Sequence, residues 1–258
     1  MNLSILISSH SRAFDLWHIT HFFFKKNWPD CPYPIYLGAN GVNRIEYCPK
    51  DWIYINKGED VSWSKSLKDY LDSIPTDYIL LLLDDFVLLR PVNQESIDDA
   101  FKFLVKNDGV MLRLVPNPKG SIYVNKKFSL IDVKNRVPYI TSLQAAIWKK
   151  SFLIELLKYD YNPWEFEIKA GKTPECLKYY NKLFVSNTPL LHYKHYVEKG
   201  KFYPFIFKLA KKFNLSILST NRETLNKKEC FEIFISKIKG KLFFLLPEKY
   251  QNPIRKLL

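Results

Sequence analysis

The sequence predicts an α/β fold: an α/β/α sandwich with a mostly parallel central sheet, followed by a basic helical tail. Three observations carry this. Strand-like and helix-period segments alternate through the first 116 residues in the order β-α-β-β-α-β-α-β, the pattern of a parallel sheet covered by helices. The run Tyr78-Ile79-Leu80-Leu81-Leu82-Leu83 is apolar at nearly every position, as suits a central strand buried on both faces. The chain has 258 residues, 47% hydrophobic and 25% charged, enough for one large domain with an appendage.

The elements follow in order. "LSILIS" (3–8) is a strand that ends in the polar loop Ser8-Ser9-His10-Ser11-Arg12. Phe14, Trp17, His18, His21 and Phe22 then recur at helical spacing over 12–26. "YPIYLG" (33–38) is a second strand closed by a Gly-Ala-Asn-Gly turn, and "WIYI" (52–55) a third. Ser62 can cap a helix whose stripe is Trp63, Leu67, Tyr70, Leu71 and Ile74, stopped by Pro75. Asn93 caps a helix over 93–107 whose acidic first half suits the helix dipole. "GVMLRLVP" (109–116) is the next strand.

From 120 to 142 the pattern breaks into short strand-like pieces, "SIYV", "FSLIDV" and "PYIT", and "LQAAIW" leads into a helix at 151–158. Asn162, Pro163 and Gly171 mark the start and end of a helix over 161–171. Residues 182–201 read as strand, turn and ordered loop. Beyond them Phe202, Ile206, Leu209, Ala210 and Phe213 share one helical face, as do Phe231, Phe234, Ile235 and Ile238, with lysines between. The expected domains are therefore 1–201 and a basic amphipathic extension over 202–258.

Charge is uneven. Of the net +13, residues 199–258 carry 14 Lys/Arg against 4 Asp/Glu. A basic tail favours an anionic partner, whether lipid headgroups, nucleic acid or a phosphorylated substrate, or else is a solvated face. Glycine is scarce at 8 residues, and neither G-x-G-x-x-G nor G-x-x-x-x-G-K-[ST] occurs, so dinucleotide and P-loop sites lose their support. Cys31, Cys48, Cys176 and Cys230 are scattered without a C-x-x-C, against a structural zinc site or a disulfide framework. "MNLSILISSH" is too short an apolar stretch for a leader. No apolar run reaches the roughly 20 residues of a membrane span. A cytoplasmic protein is expected.

Asp84 and Asp85 interrupt a greasy segment, between Leu83 and Phe86. In open α/β sheets ligands bind beyond the carboxyl ends of the strands. Two carboxylates there can hold Mg²⁺ or Mn²⁺, which in turn neutralises a diphosphate. Alternatively one acid caps the turn and the other is solvated.

With their surroundings these residues become recognisable. "VSWSKSL", "IPTDYILLLLDDFVLLRPV", "SLQAAIWKKSFLIELL", "PWEFE" and "LHYKHYVEKGK" together resemble bacterial nucleotide-sugar glycosyltransferases of the GT-A, Rossmann-like fold, of the surface polysaccharide and lipooligosaccharide type. The resemblance covers about residues 1–201. It implies a sugar passed from a UDP- or dTDP-sugar to a bacterial surface glycan acceptor, free or lipid-linked, with Mn²⁺ or Mg²⁺ as cofactor. The tail, with Lys and Phe on one amphipathic helix, is expected to rest on the anionic inner face of the cytoplasmic membrane, with no nucleic-acid partner.

Site residues follow from the same resemblance. "LDDF" stands where the family has its D-x-D-type motif, although here the acids are adjacent and Phe86 takes the third place. Asp85 would meet the metal or donor phosphate, and Asp84 a ribose hydroxyl or a structural hydrogen bond. Ser8, Ser9 and Arg12 would meet the base and a phosphate, or else form a helix cap with a surface Arg. Asp60, Trp63 and Lys65 lie on the same rim, with Trp63 alternatively in the core. Glu167, and after it Glu165, are the candidate bases for inverting transfer. Two apart on a helix, they point about 200° apart, so only one can face the acceptor; ordinary first-turn acids are the other reading. His192 would complete the metal shell or bond to backbone, and Lys201 would steady the leaving diphosphate, with His195 beside it if no metal is used. Two other readings stand: a non-catalytic basic membrane or nucleic-acid binder, and a metal-dependent phosphoryl-transfer enzyme using Asp84 and Asp85.

Overall fold

The computed structural model describes residues 2–134, 139–218 and 220–245, with side chains through Lys239. The chain divides into two compact units, Met1–His195 and Tyr196–Leu258, a boundary somewhat before the 201/202 expected from sequence.

The first unit opens with β1 (Leu3–His10), α1 (Phe14–Asn27), β2 (Ile35–Asn40), β3 (Ile53–Ile55) and α2 (Trp63–Ser73). Next come β4 (Tyr78–Leu83), β5 (Phe86–Leu88), α3 (Gln94–Lys106), β6 (Met111–Arg113), β7 (Ile122–Tyr123) and β8 (Phe128–Leu130). It closes with β9 (Ala146–Lys149), α4 (Lys150–Leu157), α5 (Pro163–Lys169), α6 (Pro174–Leu177), β10 (Leu183–Ser186) and β11 (Tyr193–His195). Nine strands form one sheet in the order β3-β2-β1-β4-β9-β6-β10-β8-β7. β3, β2, β1, β4, β6 and β10 run one way, and β9 and β8 run against them. The sheet is mostly parallel, as the alternation predicted.

Both faces are covered, which is why β4 can be apolar throughout. Ile79, Leu81, Met111 and Trp148 share one face with Leu67 and Leu71 of α2, Phe152 of α4 and Phe166 of α5. On the other face Tyr78 meets Phe101, and Phe184 meets Phe103, both from α3. The predicted caps form: Ser62, Asn93 and Asn162 accept from the backbone N–H of Lys65 (3.2 Å), Ser96 (2.8 Å) and Glu165 (3.0 Å), each satisfying a helix-end donor.

The helix expected at 151–158 forms as α4, and "LQAAIW" before it, to which the sequence reading gave no strand, adds one. The end of that segment forms β9, inserted antiparallel between β4 and β6, with Ala145, Ala146, Ile147 and Trp148 all buried. A short run apolar on every side carries no period, so sequence cannot separate a buried strand from the start of a helix. Of "PYIT", Tyr139, Ile140 and Thr141 form a turn, not a strand, and Pro138 lies outside the described residues.

The second unit begins with β12 (Val197–Glu198) paired antiparallel to β13 (Lys201–Phe202), then α7 (Phe205–Lys212) and α8 (Lys227–Leu245). Phe202, expected on a helical face, is instead a buried residue of β13. Phe207, Phe231 and Phe234 are exposed. Among the described residues no helix is long and apolar enough to cross a membrane.

Candidate active site

Parallel register brings the carboxyl ends of three strands to one rim. Ser8 lies level with Gly38 and Leu83, and His10 with Asn40. Gly38 is required there by a close approach: a Cβ would stand 2.3 Å from the Tyr70 ring. That approach lets the Tyr70 hydroxyl accept the Asn40 N–H at 2.7 Å. Asp84 and Asp85 form the turn from β4 to β5 on this rim.

The two aspartates have different partners. Ser9 Oγ donates to Asp84 Oδ2 at 2.5 Å, Trp17 Nε1 donates to Ser9 Oγ at 2.8 Å, and Thr20 Oγ1 donates to the Asp84 carbonyl. Asp84 thereby ties β1, α1 and β4 together. Asp85 faces another group: His195 Nδ1 lies 3.0 and 3.2 Å from its carboxylate oxygens, with only 13% of the Asp85 side chain exposed.

The β5–β11 ribbon makes that pairing. His195 is registered opposite Phe86, one residue from Asp85. Tyr193 stacks on Phe86 at 4.1 Å and 14°, and the His195 ring meets Phe86 edge-on at 4.6 Å. Side chains alternate along a strand, so Tyr193 and His195 share a side. His192 stands before the strand, where its carbonyl accepts the Leu89 N–H at 2.8 Å. Register, which sequence did not supply, sets His195 rather than His192 beside Asp85.

Tyr193 carries the contact further. Its hydroxyl donates to Gln144 Oε1 at 2.6 Å and accepts the Ala145 N–H at 3.1 Å. Burial, reinforced by the carboxylates of Asp85 and Glu167 and opposed by the Ala145 N–H and Arg113, raises the phenol above its ordinary pKa, so it stays a neutral donor.

The residues before Ala145 hold Glu167. Glu167 Oε1 accepts from the Leu143 N–H at 2.8 Å and from Ser142 Oγ at 3.0 Å, and the Glu167 carbonyl accepts the Tyr139 N–H at 2.8 Å. Glu165, on another side of α5, closes a capping box with Asn162 and pairs with Lys169 at 2.6 Å.

The other sequence candidates are dispersed. Ser8 is buried in β1, and Arg12 is exposed in the turn before α1. Asp60 accepts from Ser66 Oγ at 2.9 Å, and Ser66 Oγ in turn accepts from Asn40 Nδ2 at 3.2 Å, which joins Asp60 to the rim. Trp63 packs edge-on against Phe166 at 5.2 Å, and Lys65 lies 3.8 Å from Asp160. Lys201 belongs to the second unit, paired with Glu223 at 2.7 Å and Glu229 at 2.9 Å.

Sequence reasoning missed Trp17, Thr20, Gln144, Tyr193 and Arg113. Arg113 alone carried a signal: a lone charge inside the apolar strand "VMLRLV". Among the described residues no group of three or more His, Cys, Asp or Glu is placed to hold a metal. Asp85 and His195 are a two-ligand set, one oxygen and one nitrogen. Such a set fits a divalent ion that takes its remaining ligands from a diphosphate and water, and imidazole favours Mn²⁺ over Mg²⁺.

No protein-family model matches the chain, and no curated protein matches it. Solved structures do. The chain is similar to S. aureus TarS 1–349 in complex with UDP, with 14% identity and a TM-score of 0.46 over 75% of this chain and 59% of that one. It is similar to the galactosyltransferase LgtC in complex with donor and acceptor sugar analogs, with 9% identity and a TM-score of 0.43 over 80% and 78%. For 2-C-methyl-D-erythritol 4-phosphate cytidylyltransferase from Thermus thermophilus the values are 11% and 0.47 over 83% and 99%. The matched region thus spans 59% of the TarS fragment. At these identities and TM-scores the likenesses assign neither a reaction nor a substrate to this chain.

Proposed function

We propose that this chain is a glycosyltransferase that moves a sugar from a nucleoside-diphosphate donor to a glycan hydroxyl. One observation carries the reading. Two carboxylates from distant parts of the chain, Asp85 and Glu167, are linked through one series of contacts: Asp85 to His195, Tyr193 to Gln144 and Ala145, and Leu143 to Glu167. One carboxylate at the strand-end rim and a second held in a separate wall are what donor binding and acceptor activation each need.

In this scheme Glu167 takes the proton of the acceptor hydroxyl as its oxygen attacks the anomeric carbon. The bond from that carbon to the diphosphate oxygen breaks, and the nucleoside diphosphate leaves with the electron pair. Asp84, oriented by Ser9, accepts from a donor ribose hydroxyl, with Ser9 at the end of β1 and Arg12 in the turn after it meeting the base and phosphates. Asp85 and His195 would hold Mn²⁺ or Mg²⁺, which when bound neutralises the diphosphate.

The acceptor side is proposed to be a surface glycan, free or lipid-linked, met at the inner face of the cytoplasmic membrane. The exposed Phe207, Phe231 and Phe234 among the lysines of the second unit support this, since cationic and aromatic side chains together suit an anionic interface.

The test is a screen of UDP- and dTDP-sugars by thermal shift and by transfer to glycan acceptors, with and without Mn²⁺. One donor should raise Tm and be consumed. Salt-sensitive retention on DNA with no nucleotide effect would overturn the reading. Co-sedimentation with vesicles containing anionic phospholipid, lost in neutral vesicles, tests the membrane proposal.

A further inference from the structure

Arg113 stands out among the groups that the proposed chemistry leaves unused. It lies in β6, fully buried at 0% exposure. Its Nη1 donates to the Tyr139 carbonyl at 3.0 Å, while Nε and Nη2 have no hydrogen-bond partner among the described residues. A guanidinium with two unpaired nitrogens is costly in a core. Strand pairing alone does not call for it, since the neighbouring core positions Met111 and Leu112 are apolar.

What it touches is the segment that holds Glu167. The Tyr139 carbonyl accepts from Arg113, while the Tyr139 N–H donates to the Glu167 carbonyl. Tyr139 itself has φ +65°, a left-handed conformation that a bulky residue keeps only when its surroundings enforce it. Three residues on, Ser142 and Leu143 bind the Glu167 carboxylate, and Thr141 Oγ1 donates to the Phe166 carbonyl at 3.1 Å. At the far end Leu114, next to Arg113, donates its N–H to the Ala145 carbonyl at 2.8 Å. The end of β6 and the residue after it therefore grip the segment at both ends, Arg113 at Tyr139 and Leu114 at Ala145.

We propose that Arg113 is a positioning residue: it pins the 139–145 segment from inside the core and so fixes the Glu167 carboxylate where the acceptor hydroxyl must meet it. This rests on the sugar-transfer reading above. The Glu167 carboxylate lies close enough to oppose the burial that pushes the Arg113 pKa down to about 10, so the guanidinium stays charged at neutral pH.

The test is a double-mutant cycle on the full chain, with the donor found by the screen. Arg113→Met should lower kcat about 10- to 100-fold, the scale of a misplaced catalytic group, with donor KM within about twofold. In a Glu167→Gln background the same change should alter kcat/KM less than about twofold, because the group being positioned is already gone. Arg113→Lys keeps the charge but loses the forked reach to the Tyr139 carbonyl, and should fall between wild type and Arg113→Met. If Arg113→Met does not fold, the cycle is run with Arg113→Lys and read by the same criteria. A loss that multiplies in full on Glu167→Gln, or an unchanged kcat, overturns the positioning role and leaves the transferase reading standing. A Glu167→Gln enzyme that transfers sugar normally, or a wild type with no transfer, overturns both.

Discussion

Two parts of the first unit each present a pair of acids, and each pair is divided in the same way. In the β4–β5 turn, Asp84 is tied to Ser9 and α1 while Asp85 faces His195. In α5, Glu165 caps its own helix while Glu167 is held by Leu143 and Ser142. One acid of each pair secures the backbone that carries it, Glu165 within its own helix and Asp84 by tying the turn to β1 and α1, and the other is held by contacts elsewhere in the chain. The means differ. Helical geometry separates Glu165 from Glu167 by about 200°, whereas Asp84 and Asp85 are separated by a turn whose two sides pack on different elements. In both places the neighbour of the acid proposed to hold the metal or take the proton also secures the backbone, and residue type alone does not tell the two apart.

The largest effect that sharpens this comparison lies in α5. Glu167→Gln should cost about 10²–10⁴ in kcat, the range for a lost general base, while Glu165→Gln should stay within a few-fold; equal losses in transfer assays would break the distinction. Next is the turn. Asp85→Asn should lower transfer about 10²- to 10³-fold and abolish any stimulation by Mn²⁺ that EDTA removes from wild type. Asp84→Ala should also unfold more easily, by about 1–3 kcal/mol in urea titration, because Ser9 Oγ, which itself accepts from Trp17, loses its acceptor.

A third acid gives a pH-dependent contrast. Hydrogen bonds from Lys158 and Tyr159 lower the Glu175 pKa to about 2 from 4.5. A depressed carboxylate contributes its stability above the unfolded value and loses it as pH falls through the folded one. Wild-type Tm should therefore fall more steeply between about pH 4.5 and 2 than that of Glu175→Gln. The smallest effect is at the helix cap. Asn162→Ala should cost about 1 kcal/mol, seen as a Tm drop of about 2–4 °C, with kcat unchanged if Glu165 and Asn162 serve structure alone.

Much of the fold was legible because it rests on local signals. The Ser62, Asn93 and Asn162 caps, the apolar β4 and the alternation of elements each follow from residues within one turn or one strand of each other. The β9 strand was not legible, since its uniformly apolar sequence has no period. At the site, the strand-end position of Asp84 and Asp85 was readable, as was the opposition of Glu165 and Glu167. His195 was not: it lies 110 residues from Asp85, and only the register of β11 against β5 chooses it over His192. Nor was the use of Arg113, whose contacts come from a turn 26 residues away.

By itself the sequence determined the alternation of most strands and helices through the first 116 residues, the caps at Ser62, Asn93 and Asn162, and that two aspartates interrupt a buried strand end. Those are matters of periodicity, backbone propensity and the cost of burying a charge, all felt within a few residues. The tertiary structure alone decided which acid of each pair faces outward from its own element, which histidine meets Asp85, and why an arginine sits in the core beneath Glu167. Such choices depend on strand register and on contacts across the sheet, where a shift of one residue exchanges every side chain's partner.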